Sequence, residues 1–345
     1  MKKDTSISTR KTEHIQINLD EDVASGISTG LEQYRFIHQG LPEMALCDVR
    51  LSQTLFGKTQ PVPILVSSMT GGSDQAGRIN RNLALAAQEA GLAMGVGSQR
   101  AAVDEPKLAG TYHVRQFAPN ILLFANLGAI QLNYGYTSDA CQKAVDMIEA
   151  DGLVLHLNPL QEALQPQGDT DFSNLLAKIS EVRKAIQVPL IVKEVGWGIS
   201  PKVAQWLYDA GVDAVDIAGA GGTSWSQVEK YRISDPHMAQ TAGAFINWGI
   251  PTAESLVNVV DAHPDWTVFA SGGLKNGVDI AKCLALGAKM GGIAGIFLKA
   301  AYESAERAVE VMRMITEQVK IAMFACGAHS LSDLTPEVLT FTPKG

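Results

Sequence analysis

The stretch GLVLHLN, residues 152–158, is a short apolar run that ends in polar residues, and it sets the pattern for most of the chain. Similar runs recur from residue 62 onward, each followed by a glycine-rich or polar turn and then by a longer segment whose apolar residues have helical spacing. The other seven runs are PILVSS, LAMGVG, ILLFANLG, PLIVKEV, AVDIAGAGG, TVFASGG and GGIAGIF. Nearly continuous apolar strands joined by helical crossovers are typical of a parallel sheet buried on both faces.

Eight strand and helix units close most simply into a (β/α)8 TIM barrel, an α/β fold. The alternative is a doubly wound sheet, which usually opens with a G-x-G-x-x-G turn, and GVGSQR at 95–100 departs from that pattern. We predict a barrel over residues 61–345. Residues 1–60 are expected to form an N-terminal extension with a hairpin around Gly57.

Two further segments stand outside the repeat. The connection over residues 223–250 is too long for a simple loop, so we expect it to contain a short helix or a lid. The tail SLSDLTPEVLTF, residues 330–341, is expected to pack on the outside of the barrel.

Composition excludes several classes of protein. The net charge of the 345 residues is -8 and no basic block stands out, so a nucleic-acid partner is not expected. No apolar run approaches the roughly 18 to 20 residues of a membrane span, and the N-terminus has no apolar core of a signal peptide. Four cysteines without C-x-x-C spacing indicate a reducing compartment and no zinc site. We therefore expect a soluble cytoplasmic protein.

The active site of such a barrel is built at the carboxyl ends of its strands. Here these ends are small, polar and rich in glycine, which allows backbone N–H groups to approach an anion closely. The ends of the last two strands are where barrels commonly bind a phosphate. They read Ser271 to Leu274 and then Ala294 with Gly295, next to GAGG at 219–222 and Thr223. These ends predict a cup for the phosphate of a cofactor.

Two strand ends contain polar side chains that need a partner. Lys193 lies inside PLIVKEV, where an unpaired ammonium would cost several kcal/mol. It is either half of a structural ion pair or a cation facing a flavin ring, and we favour the second interpretation. His156 and Asn158 are two apart and share a strand face. Pro159 is expected to end the strand and place Gln161 and Glu162 over the barrel mouth, where a carboxylate could bind Mg2+ against a diphosphate.

Taken together, several motifs resemble the type 2 isopentenyl-diphosphate isomerases, which are flavin-dependent (β/α)8 enzymes. The resemblance runs from about residue 9 to about residue 300, in the same order and spacing, and its most specific parts are RKTEHI and HLNPLQE. The remaining motifs are SSMTGG, GVGSQR, IVKEVG, AGAGGTSW and SGGLKNG. One departure follows HLNPLQE, where an acidic residue would be expected at Gln167 and a basic one at Thr170.

The resemblance implies a role for each matching residue. The implied FMN contacts are Ser68, Met69, Thr70, Ser98, Asn126, Lys193, Thr223, Gly272, Gly273, Leu274, Ala294 and Gly295. The implied substrate contacts are Arg10, Lys11, Ser98, Gln99, Arg100, His156, Asn158 and Gln161. Glu162 would bind Mg2+, and the FMN would be reduced, commonly by NADPH. The family tendency also suggests a homo-oligomer, a tetramer or an octamer.

The resemblance implies interconversion of isopentenyl and dimethylallyl diphosphate, in which one proton is added to an alkene and another is removed from the adjacent carbon. Gln161 and His156 are the candidate catalytic side chains, although an amide is too weak for an ordinary base. We therefore expect reduced flavin to supply the proton. The alternative is an FMN-dependent oxidoreductase of the hydroxy-acid oxidase type, which shares the barrel and phosphate cup. A third is a phosphate-binding barrel without catalysis.

Overall fold

The computed structural model describes the backbone of residues 7–343 and the side chains of residues 11–343. Its strands are β1 Tyr34–Phe36, β2 Gln53–Leu55, β3 Lys58–Gln60, β4 Ile64–Val66, β5 Ala93–Gly95, β6 Leu123–Gly128, β7 Gly152–Leu157, β8 Leu190–Glu194, β9 Ala214–Asp216, β10 Thr267–Ala270, β11 Met290–Ile293 and β12 Leu339–Phe341. Its α-helices are α1 Ile7–Asp20, α2 Asp74–Ala90, α3 Arg100–Asp104, α4 Ser138–Ile148, α5 Pro159–Leu164, α6 Leu175–Ala185, α7 Pro201–Asp209, α8 Trp225–Arg232, α9 Pro236–Gly243, α10 Thr252–Ala262, α11 Gly277–Ala285, α12 Gly295–Glu303 and α13 Ala305–Cys326.

Strands β4 to β11 form a closed parallel barrel in chain order, with β11 pairing back to β4. Helices lie between successive strands, so the predicted (β/α)8 fold is confirmed. Two details differ from the repeat in the sequence. The second crossover, from β5 to β6, contains only the five-residue α3 and two 3-10 helices, Pro106–Thr111 and Arg115–Phe117. The last run stops being a strand at Ile293, because Gly295 already begins α12.

The lower barrel interior is filled by apolar side chains from alternate strand positions, including Phe124 and Phe269. A hairpin closes this end: β2 pairs antiparallel with β3 across Phe56 and Gly57, whose φ angles are 50° and 77°. Positive φ at both turn residues is the geometry of a tight two-residue hairpin. The Phe56 ring lies 6.3 Å from that of Phe124 and 6.2 Å from that of Phe269. Because the hairpin closes this end, a functional site is expected at the opposite end of the barrel.

Helix boundaries follow local capping residues. Ser73 accepts a hydrogen bond from the Ala76 backbone at the start of α2, and Gly91 ends that helix with a φ of 74°. Ser304 begins α13 and Gly327 ends it with a φ of 79° in the same way. These caps fix where each helix leaves its strand, and so they position the loops at the barrel mouth.

The segments outside the repeat are ordered elements. The 223–250 connection contains a short helix, as expected, and a second one follows it; these are α8 and α9. The tail strand β12 pairs antiparallel with β1, outside the barrel. Within residues 7–343, none of the helices combines the length and the apolar character needed to cross a bilayer.

Candidate functional site

The main cavity opens at the carboxyl ends of the barrel strands and has a volume of about 470 Å³. It is walled by the loops after β4, β8, β9, β10 and β11 and is covered by α1. Ten of the twelve residues expected to contact FMN line it: Ser68, Met69, Thr70, Lys193, Thr223, Gly272, Gly273, Leu274, Ala294 and Gly295. These ten residues therefore meet at one cavity, while their contacts with a cofactor stay predictions.

The expected phosphate cup consists of closely packed backbone and a helix start. Gly272 has a φ of 101°, and a Cβ at this residue would lie 2.0 Å from the carbonyl oxygen of Gly219. A Cβ on Gly222 would lie 2.4 Å from the Gly273 nitrogen, so neither loop tolerates a side chain. Helix α12 starts at the cavity with no side-chain cap, and its first N–H groups have no intrahelical acceptor. Such a site fits a phosphate.

Lys193 projects into the main cavity and has a partner that the sequence analysis missed. Its Nζ lies 3.1 Å from Oδ2 of Asp216 and donates to the Ser271 hydroxyl at 3.1 Å. Ser271 in turn donates to Asp216 Oδ1 at 2.6 Å. Asp216 is the single charged residue in AVDIAGAGG, and this isolation was the available signal. The nearly buried Lys193 therefore has an ion-pair partner at the cavity wall, as the structural interpretation expected, while its position facing a flavin ring stays a prediction.

A further polar atom at the cavity supports a cofactor site. Ser67 is buried, and among the described residues its Oγ has no hydrogen-bond partner, although the residue lines the main cavity. A buried hydroxyl without a partner is costly unless a bound group accepts or donates to it. The donor atoms, the lysine and the glycine loops together fit a ring system carrying a phosphate, as in FMN. Sequence reasoning named Ser68 to Thr70 and missed Ser67.

Two expected cofactor residues lie beside the cavity instead of lining it. The Asn126 Oδ1 bonds to His156 Nδ1 at 2.9 Å. The Ser98 carbonyl accepts from Lys11 Nζ at 2.6 Å and from the Tyr112 hydroxyl at 2.7 Å. In this conformation both residues hold neighbouring side chains in place, and their direct contact with FMN stays a prediction.

Strand β7 is the fourth strand of the barrel. Its end and α5 contain His156, Asn158, Gln161 and Glu162, which we call the fourth-strand cluster. Asn158 Nδ2 donates to Gln161 Oε1 at 3.1 Å and to Glu162 Oε1 at 2.9 Å. Pro159 begins α5 instead of directing the chain over the mouth, since its fixed φ suits the first turn of a helix. Gln161 and Glu162 are consequently buried, which corrects the expected placement.

The cluster and the cavity meet in one layer of the barrel. His156 lies in register with Lys193, and Lys193 with Asp216, on three adjacent strands. Gln161 reaches the cavity edge through Glu229: its Nε2 donates to Glu229 Oε1 at 3.0 Å, and His14 Nε2, on the cavity wall, lies 3.1 Å from the same oxygen. The predicted residues therefore face a shared region of the barrel mouth.

Glu229 is a second residue that sequence reasoning missed. Burial alone would raise its pKa, but the hydrogen bond and charge of His14, with Arg232 and Gln161, hold the pKa below its ordinary value. The carboxylate is thereby kept ionised as the acceptor of Gln161. His14 and Glu229 are 215 residues apart. No local pattern could have paired them, although His14 lies inside the RKTEHI motif.

The Glu162 carboxylate accepts N–H groups at both oxygens, and one amide oxygen of its neighbour Asn158 is available beside it. Glu162 Oε2 accepts from the Asp169 backbone at 2.8 Å, and the neighbouring Asn158 Oδ1 is buried without a hydrogen-bond partner. Over residues 11–343, no group of three or more His, Cys, Asp or Glu side chains is arranged to hold a metal. One carboxylate and one amide oxygen fit Mg2+ only where phosphate and water complete the shell.

The residues expected to bind the diphosphate are partly brought together. Lys11 contacts Ser98 and Tyr112, while the side chain of Arg10 lies outside the described residues. Arg100 Nη1 pairs with Asp169 at 2.8 Å. The expectation for Gln99 needs correction: its amide donates to the Ala144 carbonyl and accepts from the Asn126 backbone, so the fully buried side chain faces the barrel wall.

The loop that departs from the family pattern packs on Glu162. Gln167 has a φ of 66°, and a Cβ on Gly168 would lie 1.9 Å from the Glu162 carbonyl oxygen. Asp169 then reaches Arg100 across the loop. Neither the Gln167 side chain nor that of Thr170 supplies these contacts, so the departure leaves the core of the site intact.

Known proteins that are similar to this chain identify its family. The sequence profile of the FMN-dependent dehydrogenase family matches residues 138–341. Proteins named isopentenyl-diphosphate delta-isomerase from Rickettsia bellii and Rickettsia rickettsii are 50% identical over 325 residues, or 94% of this chain and 95% of theirs.

Solved structures share the fold at low sequence identity. (S)-mandelate dehydrogenase has a TM-score of 0.68 at 16% identity and covers 97% of this chain and 98% of its own. A flavocytochrome b2 mutant with pyruvate bound has a TM-score of 0.70 at 16% identity and covers 96% and 86%. These likenesses concern the fold alone. Because the sequence relatives are far closer, the chain belongs to the isopentenyl-diphosphate delta-isomerase family, on a barrel of the FMN-dependent dehydrogenase family.

Proposed function

We propose that this protein interconverts isopentenyl and dimethylallyl diphosphate with reduced FMN in the main cavity. The observation that carries the proposal is the shared layer of His156, Lys193 and Asp216, which joins a cavity suited to FMN to the amide and carboxylate groups of the fourth-strand cluster. The names and the 50% identity of the relatives support the same reaction. Reduced FMN, when bound, supplies an electron-rich ring and an exchangeable proton.

The chain's own residues position the substrate and exclude water. Gln161 is held by Glu229 and Asn158, so its amide is fixed at the edge of the site and can orient the allylic carbon. His156 is fixed by Asn126 on the adjacent strand. Lys193 would place a positive charge at the cavity wall beside the bound cofactor, and its ion pair with Asp216 holds the side chain there. Fixed polar groups need no reorganisation during the reaction.

The diphosphate is assigned to the edge formed by Lys11, Arg100 and Glu162. Lysine and arginine supply positive charge. Arg100 can donate two parallel N–H groups to a phosphate once its ion pair with Asp169 is broken. Glu162 would bind Mg2+ through its carboxylate, and the diphosphate would be a further ligand of the metal. We further propose that NADPH is the reductant, and that the protein works as a cytoplasmic homo-oligomer, a tetramer or octamer.

The alternative, hydroxy-acid oxidation, is favoured by the fold alone. The solved structure of flavocytochrome b2 with pyruvate bound, for example, shares only 16% sequence identity with this chain. Catalysis by a cysteine is disfavoured, because Cys141, Cys283 and Cys326 are buried away from the main cavity and the exposed Cys47 does not line it either. Burial raises the pKa of the Cys141 thiol to about 12.

The proposal is tested by incubating the purified protein anaerobically with isopentenyl diphosphate, FMN, NADPH and Mg2+. Dimethylallyl diphosphate should form, should incorporate deuterium from heavy water, and should leave the flavin reduced after many turnovers. Omitting Mg2+ or the reductant in parallel reactions separates the two requirements. Reduction of oxidised FMN in proportion to the 2-oxo acid formed from a 2-hydroxy acid would support the alternative instead.

A further inference from the structure

A second concave region, the outer cleft, lies on the outside of the barrel and has a volume of about 480 Å³. Its walls are the first two turns of α2 and the two 3-10 helices of the second crossover. The cleft exists because this crossover has no long helix to cover α2. It shares no lining residue with the main cavity.

The side chains around the outer cleft are predominantly cationic. Arg78, Arg81, Lys107 and His113 line it, with Asp74 as the one carboxylate among the lining residues. Lys107 is paired with Glu105 at 2.9 Å, so the positive charge of the cleft comes mainly from Arg78 and Arg81, opposed by Asp74, in a protein whose net charge is -8. A local positive field of this kind attracts anions in spite of the overall charge.

The two arginines differ from most others in the chain. Arg100, Arg115, Arg183, Arg232, Arg307 and Arg313 all pair with carboxylates. Among the described side chains, by contrast, no carboxylate lies within ion-pair distance of Arg78 or Arg81. Arg78 Cζ lies 5.9 Å from the centre of the Tyr302 ring, and Arg81 Cζ lies 5.2 Å from that of Phe117. Stacking orients each guanidinium and leaves its N–H edges available to a ligand.

The walls of the cleft are fixed relative to each other. Asn80 of α2 donates to the carbonyl oxygens of Thr70 and Thr111, both at 3.1 Å. The Thr111 hydroxyl accepts from the Gly72 backbone at 2.9 Å. Thr111 lines the outer cleft and Thr70 lines the main cavity, so one set of hydrogen bonds joins both. The arginines therefore need little reorganisation to engage an anion.

We propose that the outer cleft is a second binding site, separate from the main cavity, for a small organic phosphate. The phosphate would be bound by Arg78 and Arg81, and the Phe117 ring would support the organic part. A nucleotide and a prenyl diphosphate present the same phosphate chemistry. The outer cleft offers an aromatic surface to either.

The test must separate this site from the diphosphate site of the main cavity. Calorimetry is done on the FMN-loaded full-length protein carrying Lys11→Gln and Arg100→Gln, with inorganic diphosphate as the first probe. In this background one site should remain. Adding Arg78→Gln and Arg81→Gln should weaken the remaining binding at least tenfold, as expected when two charge-assisted contacts are lost.

The matched control adds Arg307→Gln and Arg313→Gln, which remove the same charge from exposed positions on α13 and should leave binding within twofold. Absence of binding in the background protein, or equal loss in both quadruple variants, would overturn the proposal. Flavin absorbance and melting temperature establish that each variant is folded.

ADP and geranyl diphosphate are then compared as the two organic sources. Binding of either, lost with Arg78 and Arg81, supports the proposal and identifies the source; failure of both to bind contradicts it. These measurements are independent of isomerase activity. A protein that failed to isomerise isopentenyl diphosphate could still bind at the outer cleft, and an active protein could fail to do so.

Discussion

The main cavity and the fourth-strand cluster lie side by side but are built differently. The cavity is formed largely by backbone: glycine loops after β9 and β10 pack so closely that a Cβ would collide. The cluster is formed by side chains, and its amides and carboxylates bond mainly to one another and to Glu229. The first kind of site is preformed by local conformation, whereas the second depends on partners from distant parts of the chain.

The largest expected effect comes from breaking the ion pair at the cavity wall. Asp216→Asn leaves the Lys193 ammonium without its counter-charge in a nearly buried position, which should cost about 3 to 5 kcal/mol of folding stability. It should also weaken FMN binding. Urea unfolding and titration of flavin fluorescence measure the two effects.

A double variant sharpens this prediction. Lys193→Met together with Asp216→Asn removes both charges, so stability should recover by more than half while FMN affinity stays low. That outcome would assign Lys193 to cofactor binding and Asp216 to its support. A single variant as stable as the parent would show that the pair is unimportant for folding.

The next effect concerns the fourth-strand cluster. Gln161→Leu removes the amide that bonds to Glu229 and Asn158, so turnover should fall by about 10² to 10³, the range typical of a lost proton-transfer or positioning group. FMN affinity should be unchanged, because Gln161 does not line the main cavity. Steady-state rates and the FMN dissociation constant provide the check.

Gln205→Leu is the matched control, since Gln205 bonds only to Asp209 at the exposed surface in this structure. It should leave both quantities unaltered. If Gln161→Leu instead abolished FMN binding and left turnover per bound flavin intact, the cluster would belong to the cofactor site and the distinction between the two regions would fail.

The sequence could predict the backbone-built part of the molecule in some detail. Apolar runs and glycine turns are local signals, and they predicted the barrel and the glycine-rich strand ends around the cavity, while the family resemblance implied the twelve cofactor residues, ten of which line it. The missing helix of the second crossover was not visible, because the repeat suggested that every strand is followed by one.

Side-chain partners from distant segments could not be read in the same way. Asp216 and Glu229 each act through residues on other strands or helices, and Glu229 meets His14 only because α1 lies against α8. Gln99 illustrates the reverse case, where family resemblance implied a ligand contact but the folded chain buries the amide against α4. Register and packing decide these outcomes, and single-sequence patterns do not encode them.

A third prediction concerns Glu194, the neighbour of Lys193 on the other face of β8. Burial raises the pKa of this carboxyl to about 7, against the lowering effect of hydrogen bonds from Trp197, Gly196 and Val195. Since this folded-state pKa lies above the ordinary carboxyl value, the folded protein binds the proton more tightly. The contribution of Glu194 to the free energy of unfolding should therefore fall as pH rises from about 4.5 to about 7.

Glu194→Gln should remove this dependence. Relative to the parent, the variant should gain about 1 to 3 kcal/mol of stability between pH 5 and pH 8. Urea unfolding at several pH values measures the difference, and Glu181→Gln on the exposed face of α6 should show none. A difference that is constant with pH would mean that Glu194 is ionised throughout, and that the neighbouring backbone N–H groups compensate for its burial.

The smallest expected effect tests whether the cavity is completed by a bound group. Ser67 Oγ has no hydrogen-bond partner in the part of the chain that the structure describes, so Ser67→Ala should not reduce the stability of the FMN-free protein. FMN affinity should nevertheless fall by about three- to tenfold, the contribution of one hydrogen bond. Ser255→Ala provides the contrast: that buried hydroxyl already bonds to the backbone of Ile199, so its loss should lower stability and leave FMN affinity unchanged. Equal FMN affinity in the Ser67 variant would place the cofactor away from β4, on the Lys193 side of the cavity.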